Sequence, residues 1–115
     1  MTHDEIDKLE AGPEMDVLVA ERVMRWEQSM VSPCNFLGET GVILGFKPSK
    51  DISSAWEVLL KMHANGYDWG IDADEVYFQK GDNTAPDFRC GTALNFGIEK
   101  MPFAICKAAL KAVSA

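Results

Sequence analysis

The clearest periodicity in the chain lies at residues 52–63, where Ile52, Ala55, Trp56, Leu59, Leu60 and His63 recur at helical spacing and predict one core-facing stripe. Signals at both ends frame this helix. Ser49 can accept a hydrogen bond from a first-turn N–H, and Asp51 sets negative charge beside the positive end of the dipole. Asn65-Gly66 then tolerates the left-handed turn that closes a helix. Upstream, Thr2 and Glu5 have capping-box spacing ahead of Ile6 and Leu9, which predicts a short helix ended by Gly12-Pro13. Pro13 opens a second helix, expected over residues 13–28, with Glu14 and Asp16 in its first turn. Met15, Leu18, Val19, Val23 and Trp26 form its apolar stripe.

The pattern changes character elsewhere. Pro33, Gly38, Gly41 and Gly45 break residues 31–47 into short apolar pieces, of which residues 41–46 are the best strand candidate. Residues 67–72 and 75–79 alternate large apolar with polar or small side chains, predicting two strands joined by a tight antiparallel turn at Asp72, Ala73 and Asp74. Residues 81–86 read as loop, and residues 88–96 as a further strand made irregular by Gly91. A closing helix starts at Pro102, with Phe103, Cys106, Ala109, Leu110 and Val113 on one stripe and Lys107 and Lys111 suited to its C-terminal half. This order predicts an α+β domain in which a small, mainly antiparallel sheet is packed between helices, an α/β/α sandwich.

At 115 residues the chain is expected to form one domain, with 47% hydrophobic and 25% charged residues giving an ordinary globular profile. No apolar run reaches bilayer length, and the opening Met1, Thr2, His3, Asp4 and Glu5 are acidic where a signal peptide is basic, so a cytoplasmic location without membrane association is expected. A net charge of −7 argues against direct nucleic-acid binding, since phosphate backbones require clustered Lys and Arg. Cys34, Cys90 and Cys106 are an odd set without CxxC spacing and read as reduced structural thiols.

Three separated blocks resemble the phage ABA (αβα) sandwich domain family. They are residues 9–16 running into Val19, Ala20, Glu21, Arg22, Val23, Met24 and Trp26; residues 48–52 with Ala55, Trp56, Glu57 and Val58; and Pro102 followed by residues 104–110. The resemblance covers about half of the chain. It implies a sheet between helical layers and a phage or prophage origin, and it brings no catalytic residues with it. Family members often carry Thr-Ala-Pro at the start of the last helix; here that position reads Lys100, Met101, Pro102, while Thr84, Ala85, Pro86 stand earlier, so the resemblance implies an insertion between them.

Candidate sites are few. Ser49, Lys50 and Asp51 at the start of the central helix read first as capping residues and second as a seat for a phosphate or other anion. Trp26 and Trp56 read first as core and second as stacking platforms for a ligand. The acidic run Asp68, Asp72, Asp74, Glu75, Asp82 and Asp87 lacks calcium-loop spacing, because Ala73 occupies the glycine position if Asp68 begins the loop. Cys90 beside Arg89 has no histidine base placed with it, and with only two histidines in the chain neither catalysis nor a metal site is expected. No cofactor is called for. The reading that follows is a phage accessory protein that binds a small, nucleotide-like ligand without catalysis, for example sequestering a host nucleotide signal. Six methionines and three tryptophans favour a homo-oligomer. Two alternatives stand beside it: an acidic inhibitor that binds a host protein, and a small metal-dependent hydrolase.

Overall fold

The computed structural model describes residues 2–28, 36–38, 41–43, 45–72, 74–80 and 90–114. Helix α1 (His3–Asp7) opens with the predicted capping box: the Glu5 N–H donates to Thr2 Oγ1 at 3.2 Å and the Thr2 N–H donates to Glu5 Oε1 at 3.1 Å. Helix α2 (Pro13–Arg22) starts on Pro13 as expected but ends six residues early. Arg25 takes the left-handed conformation (φ 62°) and the Trp26 N–H folds back onto the Ala20 carbonyl, so Trp26 leaves the helical stripe. Trp26 instead packs edge-on against Phe46, with ring centroids 4.8 Å apart, and lies 6.4 Å from Phe36. This aromatic cluster backs a small antiparallel sheet of β1 (Glu27–Gln28), β2 (Phe36–Gly38) and β3 (Gly41–Ile43), in that order. The expected strand over residues 41–46 is thus realised over its first half.

Helix α3 (Ile52–Ala64) corrects the sequence reading twice. Its N-cap is Asp51, whose carboxylate accepts the Ser54 N–H; Ser49 is committed elsewhere. Its buried face is Ala55, Val58, Leu59 and Met62, while Ile52, Trp56, Leu60 and His63 are exposed. The helix carries apolar residues around more than half of its circumference, and the neighbouring elements select which part is covered.

The main sheet is fully antiparallel, in the order β4 (Tyr67–Ile71), β5 (Glu75–Lys80), β6 (Gly91–Leu94). Val76, Phe78 and Ala93 point from it into the core. The residues of the expected 81–86 loop lie outside the described residues. A single 3-10 turn (Ile98–Lys100) leads into α4 (Met101–Val113), which is buried at Ala104, Ile105, Cys106, Ala108, Ala109, Leu110 and Ala112. A helix apolar on so many sides must be enclosed. α4 packs on β5 and β6, beside α3, and is backed by α1 and α2. It approaches β6 so closely that a Cβ on Gly91 would collide with the Ala108 carbonyl oxygen and sit 2.6 Å from the Ala112 nitrogen. The domain is therefore α+β, with helices packed on a small antiparallel sheet. No helix among the described residues is long and apolar enough to cross a membrane.

Candidate functional site

The turn before α3 is held from below. The Ser49 N–H donates to Asp16 Oδ1 at 2.8 Å, the Gly12 N–H donates to Ser49 Oγ at 2.9 Å, and both side chains are 3% exposed. Asp51 is equally committed: its carboxylate also accepts the Ser54 hydroxyl at 3.0 Å, while Ser54 Oγ accepts the Lys47 N–H at 3.3 Å. Of the three residues singled out at this helix start, Ser49 is buried while Lys50 and Asp51 are exposed, and the Asp51 carboxylate is taken up by Ser54.

Lys50 lines a cleft of about 600 Å³ between the end of α1, this turn and the start of α4. Lys8, Lys100 and Lys107 line it as well, interspersed with the carboxylates of Asp7, Glu10 and Glu99, over apolar surface from Leu9 and Phe103. Lys107 Nζ stands 4.7 Å from the Phe103 ring centroid, a cation held over an aromatic face. Partial burial lowers the Lys107 pKa from the ordinary lysine value; the Asp7 carboxylate opposes that shift and Lys111 adds to it. Asp7, at the rim, is paired with Lys111 at 2.6 Å, and that hydrogen bond holds its carboxyl below the usual range. Four lysines over an aromatic floor can take a small anion that carries a flat apolar part. Sequence reasoning reached Lys50 and missed Lys8, Lys100, Lys107 and Phe103, which lie on three other segments and meet only through the packing of α1 on α4.

The two tryptophans do not share this site. Trp26 is half-buried in the aromatic cluster of the small sheet. Trp56 is 46% exposed and meets the exposed Trp69 of β4 edge-on, with centroids 6.2 Å apart. Ile52 and Leu60 extend this apolar patch along α3.

The remaining candidates are dispersed. Cys106 is fully buried, and burial first, then Asp16, pushes its thiol well above the ordinary value, so it stays a neutral packing group. Cys90 Sγ donates to the Phe78 carbonyl at 3.5 Å; Arg89, its neighbour in the chain, lies outside the described residues. Asp68, Asp72 and Asp74 are exposed along the β4–β5 hairpin, Asp82 and Asp87 lie outside the described residues, and among those described no group of three or more metal-binding side chains converges.

The model of the phage ABA sandwich domain matches residues 17–110. The chain belongs to the phage ABA sandwich domain family. The match runs from within α2 to within α4, so it includes both sheets, the turn that carries Ser49 and Lys50, and Phe103 and Lys107. No curated protein and no solved structure matches the chain.

Proposed function

We propose that this phage-family domain binds a small organic anion, of the nucleotide class, in the cleft between α1 and the start of α4. The observation that carries this reading is the convergence of Lys8, Lys50, Lys100 and Lys107 over Phe103, an excess of cations over the Glu10 and Glu99 carboxylates beside them and over Asp7, which is paired with Lys111, in a chain whose net charge is −7. Lysines can hold a phosphate as point charges while the ring stacks on a base. The reading is capture without turnover, resting on the binding groups that line the cleft among the described residues. Sequestration of a nucleotide signal is one use of such capture. Isothermal titration with a panel of mononucleotides, cyclic nucleotides and ADP-ribose-type compounds tests it: saturable binding lost in the Lys50→Gln/Lys107→Gln double variant is the expected result. Absence of binding across the panel, or binding unaffected by the double variant, removes the reading.

Self-association is favoured by a separate observation. Ile52, Trp56 and Leu60 form an exposed stripe that continues into Trp69 on β4, one of the two outer strands of the main sheet among the described residues. A second copy related by a two-fold axis can pair β4 with β4 and cover both stripes. If the pairing centres on Trp69, Asp68 faces Gly70 of the other copy and no like charges meet. Sedimentation analysis should show a dimer or higher species that Trp56→Lys converts to monomer; a monomer at all concentrations sinks this part.

A further inference from the structure

The C-terminal ends of α2, α3 and α4 converge on a second cleft, of about 550 Å³, on a different part of the surface from the lysine-lined one. Arg22, Arg25, Lys61 and Lys80 line it, with Asn65 and Tyr67 between them, and no carboxylate does among the described residues. Arg22, Arg25 and Lys61 form no ion pair among the described residues. Lys80 Nζ stands 5.2 Å from the Tyr67 ring centroid.

Cations at helix C-termini have an ordinary explanation, since each helix end carries about half a negative charge. Three such ends fall short of the charge that Arg22, Arg25 and Lys61 bring, before Lys80 is considered. The backbone supplies an independent observation. Arg25 occupies the left-handed region at φ 62°, a conformation that favours glycine and costs a bulky residue about 1 kcal/mol or more. A glycine there would serve the turn better; the arginine adds a guanidinium beside Arg22, and planar guanidinium groups bind phosphate oxygens through paired N–H donors.

We propose that this cleft is a binding site for a compact polyanion of the oligophosphate class, independent of the lysine-lined cleft. The Arg22 and Arg25 guanidiniums grip adjacent phosphate groups, Lys61 neutralises the chain from α3, and the Asn65 amide donates from the rim.

The probe is inorganic triphosphate, titrated by calorimetry at fixed ionic strength against a sulfate control. Measured in the Lys50→Gln/Lys107→Gln background, so that the lysine-lined cleft does not contribute, saturable binding is expected to persist, with Kd raised tenfold or more on adding Arg22→Gln or Lys61→Gln. Arg25→Gly gives two readouts that a purely structural arginine would not give together. Its Tm without ligand rises by about 4 °C as backbone strain is relieved, and its triphosphate affinity falls by the same order as in Arg22→Gln. No binding, equal binding of sulfate and triphosphate, or full affinity in Arg25→Gly overturns the proposal. Absence of triphosphate binding in that background, with nucleotide capture by the parent chain intact, removes this site alone, since the two clefts share no lining residue.

Discussion

Asp16 Oδ1 accepts the Ser49 N–H at 2.8 Å in a place where both residues are almost fully buried. The first turn of α2 thereby holds the turn that precedes α3, and the position of Lys50 follows from it. Removing the acceptor strands a buried N–H. Asp16→Ala is expected to lower unfolding free energy by about 2–3 kcal/mol, and Asp16→Asn by less, because the amide oxygen can still accept. Ser49→Ala, which leaves the Gly12 N–H without its acceptor, should cost about 1–2 kcal/mol. Urea unfolding of the three variants measures the order.

The seating of α4 on β6 gives a second prediction. A methyl group at position 91 has the Ala108 carbonyl and the Ala112 nitrogen in its way, and both are backbone atoms that cannot rotate aside. Gly91→Ala should destabilise the domain by about 2 kcal/mol or more, as overpacking does. By contrast Thr92→Ala, one residue along and half-buried on the opposite side of the strand, should stay within about 0.5 kcal/mol.

Acid should weaken the contact between α1 and α4. The Asp7 carboxyl is held below its usual value, chiefly by the hydrogen bond to Lys111. A depressed carboxyl pKa contributes stability above the unfolded value, near 3.8, and loses it as pH falls through the folded pKa. Chemical denaturation between pH 5 and about pH 2 should therefore show a shallower acid loss in Asp7→Asn than in the parent chain.

Lys107 has the opposite linkage. Burial lowers its pKa, so the folded state binds fewer protons than the unfolded one across the window below the ordinary lysine value of 10.5, and stability rises with pH there. An anion in the cleft favours the charged form. Nucleotide affinity should fall as pH climbs through that window, with proton uptake on binding visible as a buffer-dependent heat; Lys107→Met should remove both effects.

Local rules made the starts of α1 and α2 legible, and tertiary packing decided the faces. The capping box at Thr2 and Glu5, the proline at the start of α2 and the alternation of β5 depend on neighbours in sequence, and each is present in the structure; in β4 the alternation fails, since Trp69, expected on the buried side with Tyr67, is exposed. The buried side of α3 was misread because Trp56 and Leu60 are as apolar as Val58 and Met62; α4 and β4 settle which are covered. Ser49 has the composition of a cap, yet its partners lie at residues 12 and 16, a separation that periodicity does not register. The lysine cleft was legible at one of its four cations for the same reason. Trp26 followed the helical stripe on paper, and the left-handed Arg25 diverted it.

The position of α4 also constrains how the chain acquires its structure. It touches both strands it covers and all three other helices, and every one of those elements is translated before it. The sheet and the two longer preceding helices must therefore leave the ribosome with their apolar faces uncovered, and contacts distant in sequence form only when residues 101–113 arrive. Folding is expected to be late and cooperative, without an early N-terminal half that is stable by itself. A nascent chain arrested before α4 would be a substrate for chaperones and proteases, so the abundance of this domain in the cell should depend on translation reaching residues 101–113 as much as on the stability of the finished fold.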